Sequence, residues 1–220
     1  MHMKPFALLR YNRSDFFLYT LAPAGCFLFA LLANMIAVGL IGARTTFVFL
    51  PILLAVACAL LGFIAGIIGV CHAFPLAVSF SVPRKKALLG VWGYLMAVFA
   101  LLSLLCLLFT AIDHWFVYDW MPTAFPGLEV YGDPLYEVNG LVIVAAAGGG
   151  ILAGFVFGTL YLRFGNRSGW LFFGVYFAVF LGRELIPWGA LISLWPCCVL
   201  AAAVLLALSV VSLFRLSISP

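Results

Sequence analysis

Long apolar runs separated by short polar breaks are the main pattern of this sequence. Uncharged runs cover residues 16–41, 45–80, 88–112 and 138–162. A helix rises about 1.5 Å per residue, so crossing the ~30 Å hydrocarbon core of a bilayer takes roughly 20 apolar residues. The pattern therefore predicts an all-α fold in which each of these four runs crosses a membrane once.

The run 45–80 does not fit a single crossing. As one helix it would be about 54 Å long, which exceeds the hydrocarbon core, yet two crossings and a turn would need more residues. We interpret it as one span followed by an extension that begins near Cys71 or His72.

The C-terminal part of the chain is less regular. An apolar run of residues 169–182 is followed by Arg183 and Glu184, and a second run covers 185–214. Two more spans fit, which gives six in total in a single transmembrane domain. The stretch 183–189 lies either at the membrane surface or in a re-entrant turn, since irregular backbone is tolerated at membrane depth where protein buries it.

Polar residues within or beside the spans are candidates for a gate or a translocation path. Charges at membrane depth are usually paired or functional, so Arg183 and Glu184 qualify, although solvation at the headgroups would also explain them. Asn34, inside the first span, is the third candidate. Its alternative role is a hydrogen bond between helices.

Charges are sorted between the breaks. Nine of the eleven Lys and Arg residues fall in one set of alternate breaks, and six of the seven Asp and Glu residues fall in the other. Cations concentrate on the cytoplasmic side of membrane proteins. With six spans, this rule places both termini in the cytoplasm. Residues 1–15 then form an amphipathic segment in the interface, and residues 113–137 form an extracellular loop.

Composition supports this class of protein. Hydrophobic residues make up 67% of the chain, charged residues 8%, and the mean hydropathy is +1.26. A soluble domain is nearer half apolar and a quarter charged, so lipid is the solvent for most of this chain. The net charge of +4 is then expected to meet anionic lipid headgroups or a protein partner, and no nucleic acid.

Glycines recur at four-residue spacing on the second and fourth spans. This spacing clears one helix face so that another backbone can approach closely. The two alternatives are packing between spans of this chain and packing against a second transmembrane subunit. The residues are Gly62, Gly66, Gly150, Gly154 and Gly158.

The outer loop 113–137 combines five acids and three prolines with seven aromatic residues. Aromatic side chains favour the headgroup level of a membrane. We expect the loop to form a packed cap on the helix bundle, because it is too short for a separate domain.

Motifs of several enzyme classes are missing from the sequence. It contains no GxxxxGK[ST] phosphate loop, no HExxH and no GxSxG. We therefore expect no enzymatic activity, cofactor or metal in this chain. The six cysteines all lie in apolar runs, where thiols act as small packing groups.

The break between the second and third spans has the most specific pattern. Residues 74–86 run Phe-Pro-Leu-Ala-Val-Ser-Phe-Ser-Val-Pro-Arg-Lys-Lys. This resembles a stretch in the permease subunits of bacterial ATP-binding-cassette exporters of the type-2 class, with departures at Ser81, where glycine is usual, and at Pro83, where serine or threonine is usual. A second similarity is the Tyr-Leu-Arg-Phe-Gly turn at residues 161–165, and the six-span layout is also similar.

The resemblance implies a division of labour in a bacterial inner membrane. A separate ATPase subunit would bind ATP and Mg, and a second permease subunit, identical or homologous, would complete the pore. The few polar groups in the spans favour an amphipathic or lipidic cargo, which would be exported. The break 74–87 would be the coupling segment, although its cations could be topology anchors alone. The expected coupling residues are Phe74, Pro75, Ser79, Val82, Pro83, Arg84, Lys85 and Lys86.

Two functions of other classes compete with a permease. In a membrane scaffold or sensor that transports nothing, the acidic aromatic loop would bind an extracellular partner. An ion channel would need a polar or acidic pore lining, which the spans lack.

Overall fold

The protein is described by a computed structural model for residues 13–42, 45–47, 49–131, 140–170, 173–174, 177 and 195–215. This part of the chain is almost entirely helical. The helices are α1 (Arg13–Gly39), α2 (Leu50–Ile68), α3 (Phe74–Ser79), α4 (Arg84–Trp115), α5 (Met121–Ala124), α6 (Gly140–Phe164) and α7 (Trp195–Arg215). π-Helical turns at Gly69–Ala73 and Phe116–Trp120 join α2 to α3 and α4 to α5, and two short strands are β1 (Thr45–Phe47) and β2 (Glu129–Tyr131).

Four continuous helices are long and apolar enough to cross a membrane. They are Phe16–Gly39, Leu50–Ser79, Arg84–Ala124 and Gly140–Phe164. The predicted helical, membrane-embedded class is thereby confirmed for the first four spans. The amphipathic segment up to residue 12 and the stretch 183–189 lie outside the described residues, as does most of the predicted fifth span.

Helices α2 and α6 form the most extensive contact in the bundle, and glycines make it possible. A Cβ atom on Gly62 would lie 2.7 Å from the carbonyl oxygen of Ala147, and one on Gly66 would lie 2.5 Å from that of Ile151. Such distances are shorter than any ordinary contact, so only glycine permits this approach of two backbones.

The glycines of α6 mirror this arrangement. Gly150 faces the backbone of Ala59, Gly154 faces that of Phe63, and Gly158 lies against Ile67 and Val70 of α2 and the turn that follows it. The structure therefore brings all five predicted glycines into a contact between two spans of one chain.

Helix α4 completes the core by packing against α1, α2 and α6. The buried hydroxyl groups of Tyr19 and Tyr94 lie 3.1 Å apart and share a hydrogen bond. Phe16 meets both tyrosine rings edge to face, and Phe27 stacks on Phe109 further along the same pair of helices. Aromatic contacts thus hold α1 to α4 where α2 and α6 are held by glycines.

The run 45–80 contains one span and an irregular turn. It begins with β1, continues as a helix to Ser79, and includes the π-helical turn Gly69–Ala73. Cys71 and His72, where the sequence suggests that the extension begins, lie within that turn. A π-helical turn inserts one residue into a helix and changes its direction and the faces that it presents.

The third span is longer than the sequence predicts. Instead of giving way to a loop at residue 113, the helix continues through a second π-helical turn to Ala124. Val117 and Met121 are one helical turn apart, and both are buried against Val38 of α1. Burial of this apolar pair stabilises helix beyond the polar residues at which a span was expected to end.

A small cap covers this end of the bundle. Strands β1 and β2 pair in parallel, with Thr46 opposite Val130. The hydroxyl of buried Thr46 donates a hydrogen bond of 3.0 Å to the Oδ1 atom of buried Asn34. The pairing joins the loop after α1 to the loop before α6, and the sequence pattern did not predict either strand.

Candidate coupling site at the basic end of the bundle

The structure places the described cations at one end of the helix bundle. Contacts between Phe16 and Tyr94, between Arg84 and Phe214, and between Arg163 and Ser212 bring the start of α1 and α4 beside the ends of α6 and α7. Of the described acids, Asp15 lies near the start of α1 at this same end, whereas Asp113, Asp119 and Glu129 lie at the other end, beside the cap. We call the end of the bundle with the cations the basic end. Its described cations include Arg84, Lys85, Lys86, Arg163 and Arg167.

Residues 74–86, which we call the coupling corner, are seated on the core at this end. Phe74 and Ala77 of α3 are 1% exposed. In the preceding turn, a Cβ on Gly69 would meet the side chains of Val91 and Leu95 of α4. The inner face of the corner is therefore part of the hydrophobic core that also contains Val91 and Leu95 of the third span.

The corner turns through a left-handed residue. Ser81 has a φ angle of +60°, its N–H donates to the carbonyl oxygen of Val78 (3.0 Å), and the N–H of Val82 donates to that of Ala77 (3.2 Å). These two bonds define a Schellman motif, which ends α3 and satisfies carbonyl groups that a helix end leaves free. Pro83 then precedes α4 with its φ at −55°, so the path between the helices is closely defined.

Arg84 joins the corner to the last described helix. Its guanidinium donates a hydrogen bond of 2.6 Å to the backbone carbonyl oxygen of Phe214, in the final turn of α7. The last four carbonyl groups of a helix lack partners within it and carry partial negative charge. The guanidinium therefore satisfies a carbonyl group and interacts favourably with the negative end of the helix dipole.

The outer surface of the corner is exposed. Lys85, Lys86, Ser79 and Pro83 lie at the surface, and the aromatic ring of Phe80 is 63% exposed. Exposed aromatic side chains are enriched at protein-binding surfaces, and the two lysines give this surface a positive charge that would attract an acidic partner.

The second motif identified in the sequence lies beside the corner. Helix α6 ends at Phe164, and Gly165 follows with a φ angle of +60°, a conformation in which glycine carries no Cβ penalty. The guanidinium of Arg163 lies within 3.5 Å of the hydroxyl oxygen of Ser212 on α7. Two arginines from separate breaks thus hold the same end of α7.

The expected coupling residues fall into three groups according to their burial. Phe74 is buried and anchors the corner, Pro75, Val82 and Arg84 are half-buried, and Ser79, Pro83, Lys85 and Lys86 are exposed. The candidate gate residue Asn34 lies at the opposite end, bonded to Thr46. Arg183 and Glu184 lie outside the described residues.

Sequence reasoning missed the groups on α7 that complete this end. The Phe214 carbonyl and the Ser212 hydroxyl come from a helix far along the chain, and no local pattern pairs them with Arg84 and Arg163. It also missed the contact between Cys58 of α2 and Cys106 of α4, whose sulfur atoms lie 2.9 Å apart.

Among the described residues, no three His, Cys, Asp or Glu side chains lie close enough together to hold a metal ion. Comparison with protein-family models, with curated proteins and with solved structures gave no match. The basic end therefore has to be interpreted from its own chemistry and geometry.

Proposed function

We propose that this chain is the permease subunit of an ATP-driven exporter of the bacterial inner membrane, and that a separate ATPase subunit docks on the coupling corner. The observation that carries the proposal is the construction of the corner. Its inner face is packed on a span, its turn has a defined backbone, and its outer face presents Phe80, Lys85 and Lys86. Such an element can receive a force from a partner and pass it on.

A displacement of the corner would be transmitted to three helices, α2, α4 and α7. The corner is covalently continuous with α2 and with α4, and Arg84 ties it to the end of α7. Because glycines lock α2 onto α6, a displacement of the corner would move α2 and α6 together relative to α4. In this scheme the partner ATPase binds ATP and Mg and hydrolyses the nucleotide, while this chain provides the membrane path with an identical or homologous second permease.

The chemistry of the spans favours an amphipathic or lipidic cargo. Thr20, Thr110, Thr159 and Ser209 each donate their hydroxyl hydrogen to a backbone carbonyl oxygen four residues earlier. These hydroxyl groups are satisfied within their own helices. Although the buried Ser103 hydroxyl has no hydrogen-bond partner, the described spans carry few polar groups that could replace the hydration shell of an ion, as ion conduction requires.

The proposal is tested by isolating the tagged chain from its native membranes and identifying co-purified proteins. A P-loop ATPase should co-purify with the wild-type chain. The double substitution Lys85→Glu and Lys86→Glu should abolish this association, because it reverses the charge of the docking surface. Insertion should be unchanged, since both side chains are exposed and the basic end keeps its other cations.

Arg167→Glu provides the matched control. Arg167 is exposed at the same end but lies outside the corner, so the ATPase should still co-purify with this variant. Absence of any ATPase from the wild-type preparation would contradict the proposed transport function. Retention of the ATPase by the Lys85/Lys86 variant would instead contradict the assignment of the corner as its docking site.

A further inference from the structure

A crevice of about 510 Å³ lies between α6 and α7 near the basic end. Its volume is within the range of roughly 300–1,000 Å³ that is typical of small-molecule sites. Both helices end at the basic end, so they run parallel and their equivalent levels face each other. The walls are mainly aliphatic, from Val156, Leu160, Leu205 and Leu208.

Polarity changes along the crevice. Arg163 and Ser212 lie at its mouth, one turn or less from the ends of their helices. Thr159 and Ser209 lie deeper, but each donates its hydroxyl hydrogen to its own helix, at 2.8 Å. The hydroxyl hydrogens in the deeper part are therefore already used within the helices. The crevice combines a cationic mouth with a mainly apolar interior.

The dimensions of the crevice suit one lipid chain. From Val156 to Arg163 the helix rises about 10 Å, which is some two thirds of the ~15 Å hydrocarbon depth of a single leaflet. With α6 crossing the bilayer, a mouth at the end of this helix would face the headgroups, and the apolar walls would face the acyl chains.

No acidic side chain that the structure describes pairs with the cation at the mouth. The described acids with resolved side chains, Asp113, Asp119 and Glu129, all lie at the opposite end of the bundle. Arg163 has the Ser212 hydroxyl at 3.5 Å and the Phe164 ring at 5.5 Å, which leaves most of its five N–H donors available. A phosphate group fits this donor set, because guanidinium binds phosphate with two parallel hydrogen bonds.

We propose that this crevice is a binding site for an anionic phospholipid of the adjacent leaflet, with the phosphate on Arg163 and one acyl chain against α6 and α7. Basic pockets between spans are a known means of binding anionic headgroups. The site does not rest on the proposed transport function, since it requires neither an ATPase nor a cargo. Lipid bound at this site would make the packing of α7 against α6 depend on the lipid.

Native mass spectrometry of the detergent-purified chain with phosphatidylglycerol or phosphatidylcholine tests this site. We expect the wild-type chain to bind phosphatidylglycerol more tightly than phosphatidylcholine. Arg163→Gln should reduce this preference about fivefold, the effect of one cation near a headgroup. Arg167→Gln, which removes a cation outside the crevice, should change it less than twofold.

Two further variants separate lipid binding from helix packing. Ser212→Ala removes the hydrogen bond of Arg163 but keeps its charge, so the preference for phosphatidylglycerol should persist. Leu208→Trp fills the crevice and should lower the occupancy of both lipids, with monodispersity in gel filtration as the check on folding.

Three results would overturn the site. The first is an Arg163→Gln variant that keeps the full preference for phosphatidylglycerol. The second is unchanged lipid occupancy in a monodisperse Leu208→Trp variant. The third is complete displacement of the lipid by inorganic phosphate, which would mean that the headgroup binds without an acyl chain in the crevice.

Discussion

Ser81 holds the backbone conformation on which the corner between α3 and α4 depends. Its φ angle of +60° lies in the left-handed region, which costs a residue with a side chain roughly 1–2 kcal/mol. Glycine would adopt this conformation without that cost, because it has no Cβ atom. Val82, which follows, packs against the core, so the strained residue is held by its neighbours.

Replacing Ser81 by glycine should therefore stabilise the protein. We expect the free energy of unfolding to rise by about 1 kcal/mol, because glycine adopts this conformation without a Cβ clash. Unfolding in mixed micelles with increasing dodecyl sulfate measures the change. Ser79→Gly is the control: Ser79 lies in the helical part of α3, where glycine should destabilise by about 0.5 kcal/mol. Effects of the same sign in both variants would contradict the role assigned to Ser81.

At the scale of elements, the pair α2–α6 is the rigid unit of the bundle. Glycines on both helices face backbone atoms of the partner, so the two axes approach more closely than larger side chains would allow. Because lipid surrounds the bundle, the association depends on van der Waals packing and not on exclusion of water. Close backbone contact maximises that packing.

Gly154→Ala tests this contact. A Cβ at residue 154 would overlap the backbone of Phe63, and backbone cannot move aside as a flexible side chain can. We expect a loss of about 1–3 kcal/mol in the free energy of unfolding, typical of overpacking.

The matched control lies five residues earlier on the same helix. A Cβ on Gly149 would meet no atom within 4 Å, so Gly149→Ala should cost nothing and could gain up to about 1 kcal/mol from helix propensity. Equal losses in the two variants would show that glycine content, and not the contact with α2, sets the stability of α6.

At the scale of the whole molecule, charge and structure are organised along one axis. The basic end contains the coupling corner and the two arginines that hold α7. The opposite end contains the cap, with the paired strands and the Asn34–Thr46 hydrogen bond. The bundle therefore has two chemically distinct ends, one basic and one covered by a small packed layer.

The rule that cations face the cytoplasm predicts that the basic end is cytoplasmic and the cap extracellular. In intact cells, a membrane-impermeant maleimide should label Asp119→Cys, at the exposed start of the cap. It should label Lys86→Cys only after the membrane is permeabilised. Both side chains are exposed, so differences in burial do not explain the contrast, and the wild-type chain reports labelling of native cysteines. Labelling of Lys86→Cys in intact cells would reverse the orientation.

Parts of this arrangement were predictable from particular residues. Four spans followed from the length of their apolar runs, and the glycines of α2 and α6 followed from their spacing. The helix from residue 113 to Ala124 was not predictable from a local pattern, because it depends on the contact of Val117 and Met121 with Val38, which is far away in the chain. The strands β1 and β2 are three residues each, too short to show an alternating pattern.

The sequence by itself determined that this protein lies in a membrane, which residues form its first four spans, and which breaks carry its positive charge. These are local properties, because the transfer of a helix into lipid depends on the residues of that helix alone. Only the tertiary structure decided which spans pair, that Arg84 and Arg163 both hold α7, and that a crevice with a cationic mouth opens between α6 and α7. Those features depend on contacts between residues far apart in the chain, and no local pattern specifies them.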